Sequence, residues 1–574
     1  MSFTPPLTPR PRWDSRIDHT PAPACNDAQG YTLQSTQGRI TINATTSAGA
    51  FYAQQTLMQL QRQYPDGIPD DIHIVDWPAT QWRGVMLDVS RDKVPTMTSM
   101  CQLIIALASL KINVLQLYLE HTFAHPGHEE VWRDASPFTP SEIAQLRQVA
   151  AAHHVMLIGQ QNALGHMERW LTHPRYADLA ALPGGYHAPD GGHEPAACLE
   201  PTNPAALALA CELVTTVTEA FACPTVHIGL DEPIDLNPAV WDAIFDVPGT
   251  VAPWAGIDNG AFCVPLSPTR QRDYVHWIQA MCAIPALQHR QVLMWADVIA
   301  AHPALMTDIP AHVTLVEWGY EADHPFAARV ERIRAAGRTC WVAPGTAAWN
   351  SLAGRIPTMQ ANIQAAVAVT TTHQLPGLLI CDWGNAGHLH YAPISWPGFV
   401  YGAALSWNPH DTPDLTASLA HICPHPQLAA LTVQLGRVGH GVLPPIKEAG
   451  TLAALLTRLE AIPALVQAGM TPASLTTIAD ELDDIRRRCA AFMQDATCAL
   501  WADELATTAH WLRLGVAHTR HLLGWDESLS RADIRHARHA LLAHHRTLWL
   551  ARNRIGGLED SVTTLAQATH ALDA

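Results

Sequence analysis

Thr225-Val226-His227-Ile228-Gly229-Leu230-Asp231-Glu232 carries an apolar run straight into two adjacent carboxylates, and Pro233 then turns the chain. The run Thr225 to Leu230 reads as a buried strand. Burying two like charges side by side is costly, and in a confined site their repulsion raises one pKa, leaving a proton donor beside an ionised carboxylate. That pair is the equipment for cleaving a glycosidic bond. An isolated Asp-Glu pair would more simply open a loop. Its place in a series of repeated units favours the site.

From Arg83 to about Asn408 the chain reads as strand-then-helix units. The apolar runs are Arg83 to Asp88, Asn113 to Leu119, Val155 to Gln160, Thr225 to Leu230, Gln291 to Trp295, Val313 to Trp318, Thr339 to Ala343 and Gly377 to Trp383. Stretches such as Met97 to Leu110, Pro140 to His153, Pro204 to Phe221 and Gln271 to Ala283 are long enough for crossover helices. Eight units predict an α/β fold of the (β/α)8 TIM-barrel type, with its active site at the C-terminal ends of the strands. Asp231-Glu232 ends the fourth. The rival, a doubly wound open sheet, would carry a Gly-rich phosphate turn after its first strand, where this chain has Val89-Ser90-Arg91-Asp92.

Around the barrel the expected boundaries are a small N-terminal α/β domain over 1–81, the catalytic barrel over 82–409 and an α-helical C-terminal domain over 410–574. Segments Ala449 to Leu465, Ser474 to Phe492, Leu500 to Leu523 and Ser530 to Leu550 carry apolar residues at helical spacing. Their apolar faces are expected to pack on one another, on the barrel or on a second subunit of a homodimer.

A net charge of −17, from 35 basic and 52 acidic residues, disfavours a nucleic-acid partner. No apolar run reads as long enough to cross a bilayer, so no membrane partner is expected. The start Met1-Ser2-Phe3-Thr4-Pro5-Pro6 does not read as a secretory signal. The 12 cysteines, among them Cys25, Cys101, Cys198, Cys211, Cys223 and Cys381, are scattered singly and fit small buried hydrophobes in a reducing cytoplasm. No HExxH occurs among the 32 histidines, and neither His153-His154 nor His544-His545 shows a third ligand, so neither metal nor cofactor is expected. The helix bearing His536, His539 and His544 reads as solvated.

The chain resembles the glycoside hydrolase family 20 β-N-acetylhexosaminidases. The matching text is Trp82-Arg83-Gly84-Val85-Met86-Leu87-Asp88-Val89-Ser90-Arg91 on the first strand, Gly165-His166 after the third and His227 to Glu232 on the fourth. Upstream, Gly49-Ala50-Phe51-Tyr52 and Gln55-Thr56-Leu57 resemble the small domain that precedes the barrel in that family. The resemblance implies exo-cleavage of terminal β-linked GlcNAc or GalNAc by a substrate-assisted route through an oxazolinium intermediate, an exception to the two-carboxylate scheme. It implies Glu232 as general acid/base and Asp231 as the group that orients the acetamido arm. It further implies Arg83 holding sugar hydroxyls, against the alternative of a salt bridge at the barrel rim, and His166 supporting the acid, with Glu120 orienting the imidazole.

Trp295, Trp318 and Trp383 lie at or just past strand ends, with Trp349 and Trp407 further on. Several tryptophans on one rim form an aromatic box that packs a pyranose. Asp297 reads either as a site residue or as a cap of the next helix. The chain also departs from the family pattern. Ala343-Pro344-Gly345-Thr346 lacks the usual tyrosine, for which Tyr320 is the candidate, and Asn385 stands where an acid commonly follows the strand 8 tryptophan. Leu230 replaces a frequent glycine. Three rival functions remain: a conventional retaining glycosidase with a carboxylate nucleophile, a non-catalytic carbohydrate-binding protein and a metal-dependent barrel hydrolase.

Overall fold

The computed structural model describes residues 27–187, 193–237, 264–447 and 449–573. The expected N-terminal domain begins in residues that, with Cys25, lie outside these. The described part opens with β1 (Tyr31–Thr36), β2 (Arg39–Ala44), α1 (Ser47–Gln63) and β3 (His73–Asp76). The strands form an antiparallel sheet ordered β2-β1-β3. Tyr31, Leu33 and Ile74 from the sheet and Tyr52, Ala53 and Leu60 from α1 bury together around Trp407, which comes from the last barrel helix.

The barrel elements follow as β4 (Trp82–Asp88), α2 (Met97–Ser109), β5 (Val114–Leu119), α3 (Pro140–Ala152), β6 (Met156–Gln161), α4 (Pro204–Phe221) and β7 (Thr225–His227). They continue as α5 (Pro268–Cys282), β8 (Gln291–Trp295), β9 (Val313–Trp318), α6 (Phe326–Ala335), β10 (Cys340–Ala343), α7 (Ile356–His373), β11 (Gly377–Asp382) and α8 (Trp396–Trp407). The eight strands close in the order β8-β9-β10-β11-β4-β5-β6-β7, and every pairing is parallel. The strands are buried because helices cover the sheet, which is why they read as continuous apolar runs.

Seven strands match the sequence expectation to within one residue at each end. The fourth stops at His227, because Gly229 and Leu230 turn left-handed with φ of 71° and 72° and cannot continue a ladder. Helix starts are fixed locally: Thr139 and Glu142 form a capping box with Pro140 in the first turn of α3, and Asn203 caps α4 ahead of Pro204. By length and composition α4 is apolar enough to cross a membrane. It is a barrel crossover helix, burying Ala206, Leu209, Leu213, Val217 and Phe221.

The C-terminal region is helical, with α9 (Pro472–Ala490), α10 (Ala499–Leu522), α11 (Arg531–Arg552) and α12 (Leu558–Ala568) as its main elements. The helix expected over Ala449 to Leu465 divides into Thr451–Thr457 and Ile462–Gln467: the backbone leaves the helical region at Arg458, with φ −136° and ψ 66°, and Pro463 sits in the first turn of the second helix. These helices reach the rim of the barrel. Ser561 on α12 donates to the Gly387 carbonyl at 2.5 Å and lies 3.1 Å from His545 Nε2, while His545 Nδ1 meets the Tyr391 hydroxyl at 2.8 Å. Arg169 links Asp92 at 2.7 Å to Asp560 at 2.8 Å. The loops after β4, β6 and β11 are thereby held from outside. His545 is buried in this contact.

Candidate active site

The C-terminal end of β7 places the two acids. Gly229, Leu230 and Glu232 all have positive φ, 71°, 72° and 44°, so the backbone coils tightly and delivers Asp231 and Glu232 to one side. A Cβ on Gly229 would stand 2.2 Å from Asn162 Oδ1, so only glycine fits. A Cβ on Gly165 would lie 2.5 Å from the Asp231 carbonyl, which explains the glycine before His166. His166 itself takes φ 56°. Strain of this kind persists where the surroundings over-determine it.

His166 Nε2 sits 3.3 Å from Asp231 Oδ2 and 3.4 Å from Glu232 Oε2. Burial opposes a charge on this imidazole, but Asp231 and Glu232 outweigh it and lift its pKa well above that of an ordinary histidine. Burial would likewise raise Asp231, yet His166 and Arg91 overcome it and hold the carboxyl below its usual value. Asp231 Oδ1 is buried and has no hydrogen-bond partner among the described residues. A buried carboxylate oxygen without a donor is unfavourable unless something arrives to donate.

Asp297 faces the same pair rather than capping its helix. Its Oδ2 accepts the Glu232 N–H at 3.0 Å, Oδ1 lies 3.5 Å from Trp318 Nε1, and the helix it begins has no side-chain cap bond. Burial, reinforced by the nearby charge of Asp231, pushes its carboxyl up to about 7.

Arg83 is not part of this site. It is the second residue of β4, at the N-terminal end of the barrel, and is fully buried, with bonds to the carbonyls of Lys111 at 3.0 Å, Thr80 at 2.8 Å and Gln81 at 3.1 Å. Its guanidinium lies over Trp407 and Tyr52, at the plug formed by the N-terminal sheet. Strand polarity gives the reason, because sites form at the opposite end. The arginine at the site is Arg91, three residues past the end of β4. Its Nε lies 3.1 Å from Glu120, NH1 3.3 Å from Asp88 and NH2 3.4 Å from His166 Nδ1. It stacks over Tyr118 and Trp383 at 4.4 and 5.0 Å. Burial works against its charge, but Glu120, Tyr118 and Asp88 outweigh that and keep it protonated. Glu120, expected to orient His166, instead ion-pairs Arg91 and accepts the Tyr118 hydroxyl at 2.7 Å.

A polar chain inside the barrel supports this corner. Gln116 Nε2 donates to Gln160 Oε1 at 2.6 Å, Gln160 Nε2 to Asn162 Oδ1 at 3.2 Å, and Asn162 Nδ2 to the Tyr118 hydroxyl at 2.8 Å. Tyr118 then donates to Glu120.

The expected aromatics do gather at this end. Trp295 and Trp383 have centroids 6.1 Å apart, Trp318 stacks on Tyr320 at 5.3 Å, and Trp383 Nε1 donates to the Tyr320 hydroxyl at 2.7 Å. Trp349 packs edge-on to Tyr320 at 5.0 Å, while Trp407 belongs to the opposite end of the barrel. Asn385, partly exposed, follows Trp383 with φ 49° and ψ −154°. Sequence reading missed Arg91, Asp88 and Tyr118. The signal was available, since Asp88 and Arg91 fall at and just beyond a strand end while Arg83 does not.

Comparison with known proteins bears on this arrangement. The family model for glycosyl hydrolase family 20, catalytic domain, matches residues 81–349, and that for domain 2 of the same family matches residues 8–77; together they span more than half of the chain. A beta-hexosaminidase subunit beta of Entamoeba histolytica is 30% identical over 220 residues, 36% of this chain and 38% of that protein. A beta-hexosaminidase of Akkermansia muciniphila is 25% identical over 238 residues, 36% of this chain and 47% of that one. The matched stretch thus spans less than half the length of these curated relatives. A chitobiase structure from Flavobacterium johnsoniae aligns over 94% of this chain and 86% of its own, with a TM-score of 0.52 and 17% identity, a likeness of fold alone.

Proposed function

Because the chain belongs to glycosyl hydrolase family 20, we propose that it is an exo-acting β-N-acetylhexosaminidase. It removes terminal β-linked GlcNAc or GalNAc by substrate-assisted retaining catalysis. The observation that carries this reading is the buried, unpartnered Asp231 Oδ1 beside Glu232, with His166 within 3.3 and 3.4 Å of the two side chains. An acetamido N–H is the donor that the Asp231 oxygen lacks.

In the first step Glu232 gives its proton to the glycosidic oxygen while the substrate's acetamido oxygen attacks C1 and the C1–O bond breaks. Asp231 accepts the acetamido N–H and stabilises the oxazolinium charge as it develops. In the second step the Glu232 carboxylate takes a proton from water, whose oxygen attacks C1 and reopens the ring. Two inversions give retention. Arg91 holds sugar hydroxyls with its planar donors, and Trp295, Trp318, Tyr320 and Trp383 pack the pyranose. Asn385 is positioned for a hydroxyl at C4 or C6. The free thiols at Cys198, Cys340, Cys381 and other described positions support a cytoplasmic location, which cell fractionation checks.

Glu232→Gln tests the assignment. Turnover of an unactivated chitobioside should fall about 10²–10⁴-fold, the usual worth of general acid/base catalysis, with a smaller loss for a nitrophenyl leaving group in the first step. Equal loss on both substrates removes Glu232 from the acid role. Initial release of oligomers from chitin fragments, in place of monosaccharide, overturns exo action.

A further inference from the structure

Away from the catalytic acids, a cavity of about 450 Å³ opens between the barrel and the C-terminal helices. Its walls come from α2 and α8 on one side and from α10 and α11 on the other, and Trp396, Trp501 and Trp549 contribute apolar surface. Ligand pockets commonly have this size and lie at domain junctions.

Five side chains of opposite sign line it: Asp88, Lys93, Asp382, Glu504 and Arg552. Three have a partner of opposite sign. Glu504 and Arg552 form a two-pronged pair at 2.6 and 2.8 Å, and Asp88 meets Arg91 at 3.3 Å. Asp382 accepts the Thr346 hydroxyl at 2.6 Å and lies 3.8 Å from His390 Nε2, an imidazole that burial holds below its ordinary pKa and so leaves uncharged. Lys93 is the cation among them with no carboxylate within 4 Å among the described residues. Its ammonium donates to the His390 carbonyl at 2.7 Å and lies 5.2 Å from the centre of the Trp549 ring. Burial pushes its pKa down to about 7, against the opposing pull of Glu504 and Asp382.

A buried cation whose only contacts are one carbonyl and an aromatic face is costly, and a bound anion would offset that cost. The three carboxylates nearby restrict the anion to one negative charge. A dianion such as phosphate would meet more repulsion than one lysine neutralises, and a wholly apolar molecule would leave Lys93 desolvated. We infer that the cavity is a second binding site, for a small monocarboxylate with an apolar or aromatic body whose carboxylate pairs with Lys93. The acid group can be that of a free aryl or alkyl acid or of an acidic sugar. The site is independent of the hydrolytic assignment.

Calorimetric titration of the full chain with 3-phenylpropionate, its amide and glucuronate tests this. We expect 3-phenylpropionate to bind at one site per chain, with the amide at least about tenfold weaker, roughly the worth of one charged contact. Glucuronate binding with the same dependence on Lys93 would assign the acid to a sugar instead and equally support the site. Lys93→Met, which keeps the apolar stem, should abolish binding. Ala106→Phe, which fills the α2 wall, should do so independently, and both variants should hydrolyse an aryl N-acetylglucosaminide as before. Binding of neither acid, equal binding of acid and amide, or binding that survives in folded Lys93→Met overturns the proposal.

Discussion

The two ends of the barrel treat the same residue types in opposite ways. At the N-terminal end Arg83 is tied to three backbone carbonyls, and Asp76 is matched by Lys111 at 3.2 Å and by Trp407 Nε1 at 2.9 Å. At the C-terminal end Asp231, Glu232 and Asp297 crowd together, Asp231 keeps an oxygen without a partner, and the backbone takes left-handed turns. One end has paired its opposite charges, although Arg83 Nη2 lacks a hydrogen-bond partner among the described residues. The other holds them apart, in a frame rigid enough to prevent relaxation. Burial of a charged residue therefore says little about function until its partners are known.

Parallel lysine substitutions should separate the ends. Arg91→Lys keeps the charge beside Asp88 and Glu120 but loses the fork, and kcat/KM should drop about 10²–10³-fold with little change in Tm. Normal kcat/KM in a folded Arg91→Lys protein would return Arg91 to the class of structural pairs.

Asp297→Asn addresses the crowding. The Asp297 pKa is raised in the folded state, so its favourable contribution is complete below about pH 4, the unfolded value, and is lost as pH rises through about 7. The Asn variant cannot ionise. Relative to the parent it should gain on the order of 4 kcal/mol in unfolding free energy between pH 4 and pH 8. Denaturant melts at the two pH values would contradict this if the difference were flat.

Arg83→Lys should give the converse of Arg91→Lys, a loss of about 2 kcal/mol in stability as two or more carbonyls lose donors, with kcat per folded molecule unchanged. Urea midpoints and active-site titration read the two quantities separately. The smallest effect concerns the external hold on the loop after β11. Ser561→Ala removes the bond to the Gly387 carbonyl and should cost about 1 kcal/mol, raising KM slightly as Trp383 and Asn385 loosen. An unchanged KM would show that packing alone fixes the loop.

The barrel was legible because buried parallel strands are near-continuous apolar runs, and strand-helix alternation repeats often enough to count. The acid pair was legible for the same reason, its position at a strand end. The arginine was misread because a motif identifies a strand without saying which end of it faces the site; Arg83 and Arg91 share one motif, and strand direction separates them. Asp297 stayed ambiguous because a carboxylate at a helix start reads the same whether it faces its own backbone or a distant one. Contacts such as Arg169 with Asp560 or Ser561 with Gly387 join residues 391 and 174 positions apart, and no local periodicity encodes them.

The polar chain from Gln116 to Glu120 has a sense of direction. An ionised Glu120 can only accept, so Tyr118 must donate to it and accept from Asn162, which in turn fixes how Asn162, Gln160 and Gln116 turn their amides. Side chains from the two neighbouring strands β5 and β6 thus point the same way, like needles aligned by one pole. In Glu120→Gln the cause of that alignment would vanish, and the amides could reverse together without any backbone atom moving. The interior of the barrel holds a record, written in side-chain orientation, of a charge that sits beside Arg91 at its rim.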